Sequence, residues 1–479
     1  MGPILILLIG ISIVLVGIIV FRLHAFLPLI IAALVVGSLT STDALFEYAL
    51  SKGMGEAEAL SFMNQTIGKR LSAAFGNTCA KIGILIAMAS IIGTCLLKSG
   101  AADRIIRSSL RLSGEKGAPI AFLASGFTLA IPVFFDTVFY LMIPLGKSLG
   151  IRYPKKYGLF IMAIIAGGVM AHSLIPPTPG PLFVAEELGV DLGIMMVGGL
   201  IVGMITVTAG YLYALWVNQK WQLPLRDTPD ASLEELAAFS QKDSTALPSL
   251  SFSLLPILLP LVLIAGNTIL QATLGEMPSA NRSGFQNTLL STMTIIGNSN
   301  IALIISALSA LALMRTKIKD KKKYTAFIQD ALQSAGLIIL ITAAGGALGG
   351  MLQQTGIAFT IESLAKEYHI AVLPLAFLVT MLVRTAQGSA TVAMITAVGV
   401  LGGMSSPEIL GFHPVYLALA IGCGSKPFPW MNDSGFWVVT KMSGMTEREG
   451  IRHFSFLLTI MGLVGLLATI LLAKLFPMI

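Results

Sequence analysis

Charge is scarce in this 479-residue sequence. Asp, Glu, Lys and Arg make up 11% of it, against roughly 25% in soluble globular proteins. That excludes an ordinary water-soluble domain. Cysteine is nearly absent: Cys79, Cys95 and Cys423 lie in or beside apolar segments, without metal-ligand spacing. A disulfide framework and a thiolate metal site are therefore not expected, and the three read as small packing residues. No phosphate-binding loop, HExxH pair or nucleophile elbow occurs. Nothing resembles an ATPase, an enzyme is not the expected class, and no cofactor or metal is expected. The net charge of +7 does not call for a nucleic-acid partner, because basic residues of membrane proteins collect in cytoplasmic loops.

Apolar runs are what the chain has in abundance: 55% of its residues are hydrophobic. A helical crossing needs about 20 such residues. The run 3–20, "PILILLIGISIVLVGIIV", lacks a basic leader and a small-residue cleavage site, so it reads as an uncleaved span. About ten full crossings are expected, near 3–20, 25–41, 80–98, 157–190, 192–216, 251–270, 289–314, 325–352, 414–440 and 451–475. Those at 157–190 and 414–440 are interrupted. The expected class is an all-α polytopic membrane protein.

A polar linker at 217–250 divides the chain into halves, 1–216 and 251–479, that echo each other. "LLKSGAADRI" (96–105) parallels "LQQTGIAFTI" (352–361). Further on, "IPVFFDT" (131–137) and "RTAQGSAT" (384–391) each interrupt a long apolar stretch. Then come the breaks "HSLIPPTPGPLF" (172–183) and "GCGSKPFPWMND" (422–433). Repeats with corresponding helix interruptions mark secondary transporters.

The stretches 117–150 and 371–404 are each either one crossing or a re-entrant hairpin. The positive-inside rule favours hairpins. They gather the basic residues of 98–116, 147–156, 315–323 and 441–452 on one face, with both termini on the other. The linker is then cytoplasmic. The chain also crosses an odd number of times between residues 80 and 325, which makes the second half an inverted repeat of the first.

Two hairpin tips and two helix breaks converge in this scheme, exposing helix N-termini that suit an anion. The ionisable residues there are Asp136, His172, Arg384, Lys426 and Asp433. An intramembrane ionisable residue is a functional candidate by default. Against this, Arg384 can be read as snorkelling, His172 as a hydrogen-bonded bundle residue, and Lys426 with Asp433 as a structural pair. Thr137, Thr178, Gln387, Ser389, Thr391, Ser425, Asn432 and Ser434 supply small polar groups, although such groups also bond helix backbones. The glycines of "AAGGALGGM" (343–351) stand at GxxxG spacing and read as packing positions.

The segments "IPVFFDTVFYLMIPL" (131–145), "PPTPGP" (176–181), "RTAQGSATVAMIT" (384–396) and "NDSGFW" (432–437) resemble the gluconate:proton symporter family, the gluconate permeases of the ion-transporter superfamily. The resemblance spans nearly the whole chain. It implies paired hairpins, interrupted helices and a dimeric scaffold. It also implies proton-coupled uptake of gluconate or a related hydroxy-acid across a bacterial inner membrane, by an elevator motion. The chain departs from the family pattern in two places: Thr178 stands where many relatives have His, and Pro429, Trp430 and Met431 stand where they tend to have a Ser-His pair.

On this reading a substrate carboxylate meets helix N-termini with Arg384 or Lys426. Thr178, Ser389, Thr391, Ser425 and Asn432 read its hydroxyls, and Asp136 or Asp433 takes the coupling proton, with His172 a further candidate. The alternatives are a sodium-coupled carboxylate carrier, a D-serine-type permease, a passive channel and a membrane-embedded enzyme using Asp136 and Asp433.

Overall fold

The computed structural model describes residues 2–114, 116–226, 247–275, 277, 282–357, 372–405, 407–431 and 433–478. Most of the linker lies outside them. So do Asn432 and the side chain of Gln387.

The described residues form helices and no strands. They begin with α1 (Pro3–Ile19), α2 (Phe26–Leu39), α3 (Thr42–Ser51), α4 (Glu56–Met63), α5 (Ile67–Lys98) and α6 (Ala101–Ser113). Next come α7 (Ala118–Leu129), α8 (Phe135–Arg152), α9 (Tyr157–Leu174), α10 (Pro179–Glu187) and α11 (Leu192–Lys220). After the linker follow α12 (Leu250–Leu270), α13 (Gly284–Ile296), α14 (Ser299–Arg315) and α15 (Lys321–Gln353). The chain continues through α16 (Val372–Gln387), α17 (Ala390–Leu401), α18 (Val415–Gly424), α19 (Ser434–Ser443) and α20 (Phe456–Leu475).

Six helical stretches are long and apolar enough to cross a membrane, or up to eight if each bent helix pair is one span. Several start at a polar cap that occupies an otherwise unpaired N–H. Thr66 accepts from Lys69 N, Asp191 from Ile194 N and Ser249 from Phe252 N. Ser283 and Gln286 form a reciprocal capping box.

Two expectations need correction. The span expected at 80–98 begins at Ile67. Its first turns carry Lys69 and Arg70, which hid the helix from a hydropathy reading. Arg70 is buried all the same, its Nη1 donating to Gln354 Oε1 at 2.7 Å. The single crossing expected at 289–314 is two helices, α13 and α14, bent by 73°. The bend lies at Gly297 and Asn298, where Asn298 caps the second helix.

The long helices α5 and α15 pack along each other, and the glycine row of α15 sets their approach. A Cβ on Gly350 would lie 3.0 Å from Ala74 Cβ, and one on Gly349 would lie 3.0 Å from Gly399 Cα. One helix thus receives α5 on one flank and α17 on another. The GxxxG spacing is a packing device here.

The four interruptions occur where the composition changes. Residues 130–134 separate α7 from α8, and 388–389 separate α16 from α17. Residues 175–178 break the α9–α10 helix, and 425–433 break the α18–α19 helix. Helices α7 and α17 have 12 residues each, about 18 Å. That is short of the roughly 30 Å hydrocarbon core. Every residue of α9 and of α18 is buried, so these helices form the inner axis. α7 packs on α9 as α16 packs on α18. Reciprocally, α10 meets α17 and α19 meets α8.

Candidate functional site

Three of the four expected interruptions border one cavity of about 170 Å³, whereas the 175–178 break lies outside its lining and α9 reaches it only before that break. The first tip contributes Phe134, Phe135 and Asp136, and α9 contributes Val169 and His172. The second tip contributes Gly388, Ser389 and Thr391, with Arg384 one turn before it. The second break supplies Lys426, Asp433, Ser434 and Gly435, while Phe454 and Leu458 close the apolar side. Three helices, α8, α17 and α19, begin at this wall. Their first N–H groups lend it partial positive charge.

The charged groups are fixed to different degrees. Asp433 caps α19, its Oδ1 accepting from Gly435 N at 2.7 Å, and its Oδ2 pairs with Arg384 Nη2. Both partners are about 95% buried. Arg384 Nε donates to Ser425 O at 3.0 Å, whereas its Nη1 has no hydrogen-bond partner among the described residues. The pair is thus Arg384–Asp433, not Lys426–Asp433. The snorkelling alternative for Arg384 is also excluded. Lys426 is buried, lines the cavity and has no carboxylate within 4.0 Å among the described residues. Asp136 sits in the first turn of α8 opposite this pair. A Cβ on Gly435 would lie 3.2 Å from Asp433 Oδ1 and 3.3 Å from Asp136 Oδ1. The bare Gly435 backbone is therefore what lets the two carboxylates flank one point.

His172 is buried with its Nδ1 unpartnered, its ring 5.5 Å from that of Phe134. The expected hydrogen bond of this ring nitrogen within the bundle is not made among the described residues. The broken 425–433 segment is held from outside the cavity. Phe428 N donates to Thr459 Oγ1 at 3.0 Å, Ser455 Oγ donates to Pro429 O, and Trp430 Nε1 donates to Thr385 O at 2.9 Å.

The cavity residues run from Phe134 to Leu458, and residues 2–476 match the GntP family permease. The chain belongs to this permease family. An uncharacterized permease of Haemophilus influenzae is 33% identical to it, covering 93% of this chain and 86% of that one. The gluconate permease of Pseudomonas aeruginosa is 30% identical over 95% and 93% of the two chains. The D-serine transporter DsdX of Escherichia coli K12 is 29% identical over 98% and 97%. In fold, the chain resembles the crystal structure of the Alcanivorax borkumensis YdaH transporter. The TM-score is 0.57 at 13% identity, covering 88% of this chain and 90% of the other.

In this GntP-family permease the expected site residues divide clearly. Asp136, His172, Arg384, Ser389, Thr391, Lys426, Asp433 and Ser434 share the cavity. Ser389 also caps α17, accepting from Val392 N at 3.3 Å. Ser425 does not reach the cavity with its side chain. Its hydroxyl donates to Gly422 O at 2.7 Å, and only its carbonyl serves, by holding Arg384. Thr178 is likewise turned onto backbone, donating to His172 O at 2.8 Å and Ile175 O at 2.9 Å. Thr178 and Thr137 line a separate cavity of about 150 Å³ against α5. A hydroxyl beside a helix break has free carbonyls at hand, and bonding them wins over facing a ligand. Gln387 and Asn432 lie outside the described side chains.

The sequence reading missed the apolar wall of Phe134, Phe135, Phe454 and Leu458. In a chain this apolar, phenylalanine gives no signal; only the position of Phe134 and Phe135 beside the first tip could have indicated it. It also missed Gly435, whose place between two carboxylates exists only in three dimensions.

Proposed function

We propose that the chain is a secondary active carrier that takes up gluconate or a related small hydroxy-acid together with a proton, across a bacterial cytoplasmic membrane. The observation that carries this is the charge balance of the cavity. Asp136 and Asp433 face Arg384 and Lys426 across one small space. With both carboxylates ionised, the four charges cancel. A proton on one aspartate leaves one uncompensated positive charge, and a substrate carboxylate restores neutrality. Proton and anion then favour each other's binding, which is the linkage a symporter needs.

Asp136 is the better proton acceptor of the two. Asp433 is held as a carboxylate by Arg384 and by the Gly435 N–H. Protonating it would leave the Arg384 guanidinium unpaired in a buried place. The Arg384 Nη1 without a partner and the Lys426 ammonium receive the substrate carboxylate. Ser389, Thr391 and Ser434 read its hydroxyls. The aromatic wall excludes water, which strengthens each of these contacts. The cavity is smaller than the usual 300–1,000 Å³ of drug-sized ligand pockets, in keeping with a small metabolite.

The short helices α7 and α17 support re-entrant hairpins, and the distribution of basic residues supports their entry from opposite faces with both termini outside. The reciprocal packing of α10 on α17 and α19 on α8 supports an inverted repeat of 1–216 and 251–479 around the linker. An elevator motion within a homodimer is compatible with that plan. A second substrate reading has one observation in its favour: two carboxylates and two cations in one cavity also suit a zwitterion, and a D-serine transporter is among the relatives.

The test is uptake of labelled gluconate, glycerate, lactate and D-serine into proteoliposomes under an imposed pH gradient, in sodium-free and in sodium-containing buffer, with and without a protonophore. Accumulation of a hydroxy-acid that the protonophore abolishes is expected. Accumulation only with sodium, or of D-serine alone, would overturn the corresponding half of the proposal.

A further inference from the structure

Helix α6 is too short to cross a membrane, and its residues divide by face. Ala101, Ala102, Ile105 and Ile106 are buried. Arg104, Arg107 and Arg111 recur at spacings of three and four, which places them along one stripe. That stripe borders a cavity of about 570 Å³, separate from the substrate site, with no lining residue in common. Its other walls are Arg152, from the last turn of α8, and the leucines 145, 149 and 250.

Four guanidiniums thus face a leucine wall. On α6 itself Asp103 pairs with Arg107, 3.2 Å from its Nε. Arg104 has its Nε buried without a hydrogen-bond partner among the described residues. Leu112, at the rim, is 83% exposed. The pocket lies at the ends of long apolar helices: α5 stops at Lys98, α8 stops at Arg152 and α12 starts at Leu250. An interfacial position is where headgroups sit, and basic pockets there suit anionic lipids.

We propose that this pocket binds an anionic phospholipid. Its phosphodiester lies on Arg104 and Arg111, and its acyl chain lies along Leu145, Leu149 and Leu112. Guanidinium matches a phosphodiester through paired N–H donors, and the leucines match the chain. A free phosphate shares the first half of this chemistry and not the second.

The experiment is native mass spectrometry of the full-length detergent-solubilised permease, titrated with phosphatidylglycerol. Phosphatidylcholine of equal chain length and inorganic phosphate serve as parallel arms. Phosphatidylglycerol is expected to bind at least about tenfold more tightly than phosphatidylcholine, whose choline cation faces the arginines. Inorganic phosphate at equal concentration is expected not to displace it. Arg104→Gln with Arg111→Gln should weaken phosphatidylglycerol binding by roughly thirtyfold. Lys319→Gln with Lys322→Gln, which removes the same charge elsewhere, should leave it unchanged. Should the arginine variant fail to fold, Leu112→Asp at its exposed position is expected to weaken the lipid as well. Equal binding of the two lipids, displacement by inorganic phosphate, equal weakening by the lysine variant, or undiminished binding in Leu112→Asp would each overturn the proposal.

Discussion

At the scale of single residues, the site turns on which polar groups are already engaged. Asp433 spends one oxygen on Arg384 and the other on its own helix cap. Asp433→Asn removes the charge that Arg384 faces and leaves a buried guanidinium uncompensated. A loss of about 3 kcal/mol is expected, seen as a lowered thermal unfolding midpoint; an unchanged midpoint would contradict the pairing. Gly435→Ala acts differently. Its methyl group would press on the carboxylate oxygens of Asp433 and Asp136 at 3.2 and 3.3 Å. Initial uptake rates should fall by roughly tenfold or more while the unfolding midpoint stays within a few degrees. Normal uptake would show that neither carboxylate needs its present place. The sequence was a good guide to the charged members of this site, because an ionisable group among apolar residues stands out. It was a poor guide to hydroxyls. Thr178 and Ser425 looked the same on paper as Ser389 and Thr391, and only the local free carbonyls decided which way each turned.

At the scale of elements, the breaks were legible and the bends were not. Pro176, Pro177, Pro427 and Pro429 cannot continue a helix, and "QGS" before Ala390 ends one helix and caps the next. The turn between α13 and α14 left a weaker trace, Gly297 followed by Asn298, inside an apolar stretch that reads as one crossing. The start of α5 was obscured because Arg70 is held by Gln354 Oε1 at Nη1 and by Gly37 O at Nη2, contacts from distant parts of the chain. The glycines of α15 were read correctly as packing positions. Gly349→Leu therefore wedges α15 away from α17, because the ideal Cβ already lies 3.0 Å from Gly399 Cα. Overpacking of this kind costs about 1–3 kcal/mol or more. The expected result is a lower unfolding midpoint and a reduced yield of monodisperse protein. A leucine accommodated without either change would show that the two helices separate freely.

At the scale of the whole molecule, the reciprocal contacts matter most. The second half of each broken helix packs against an element of the other half of the chain: α10 on α17, and α19 on α8. A cavity bordered by both halves can be reached from either face if the halves rock or slide. Family membership across residues 2–476 and the transporter fold both belong to this scale. The likeness of the two halves was visible in the sequence as an order of features rather than as identity, since the order preserves where helices break and not what lines them. The central claim is that Asp136 carries the proton that drives uptake. Its most direct test is accumulation of labelled gluconate in sodium-free proteoliposomes with an alkaline interior, comparing the natural protein with Asp136→Asn. The natural protein should concentrate gluconate in response to the pH gradient. The variant should still exchange gluconate across the membrane but no longer concentrate it. Undiminished accumulation by Asp136→Asn would contradict the account.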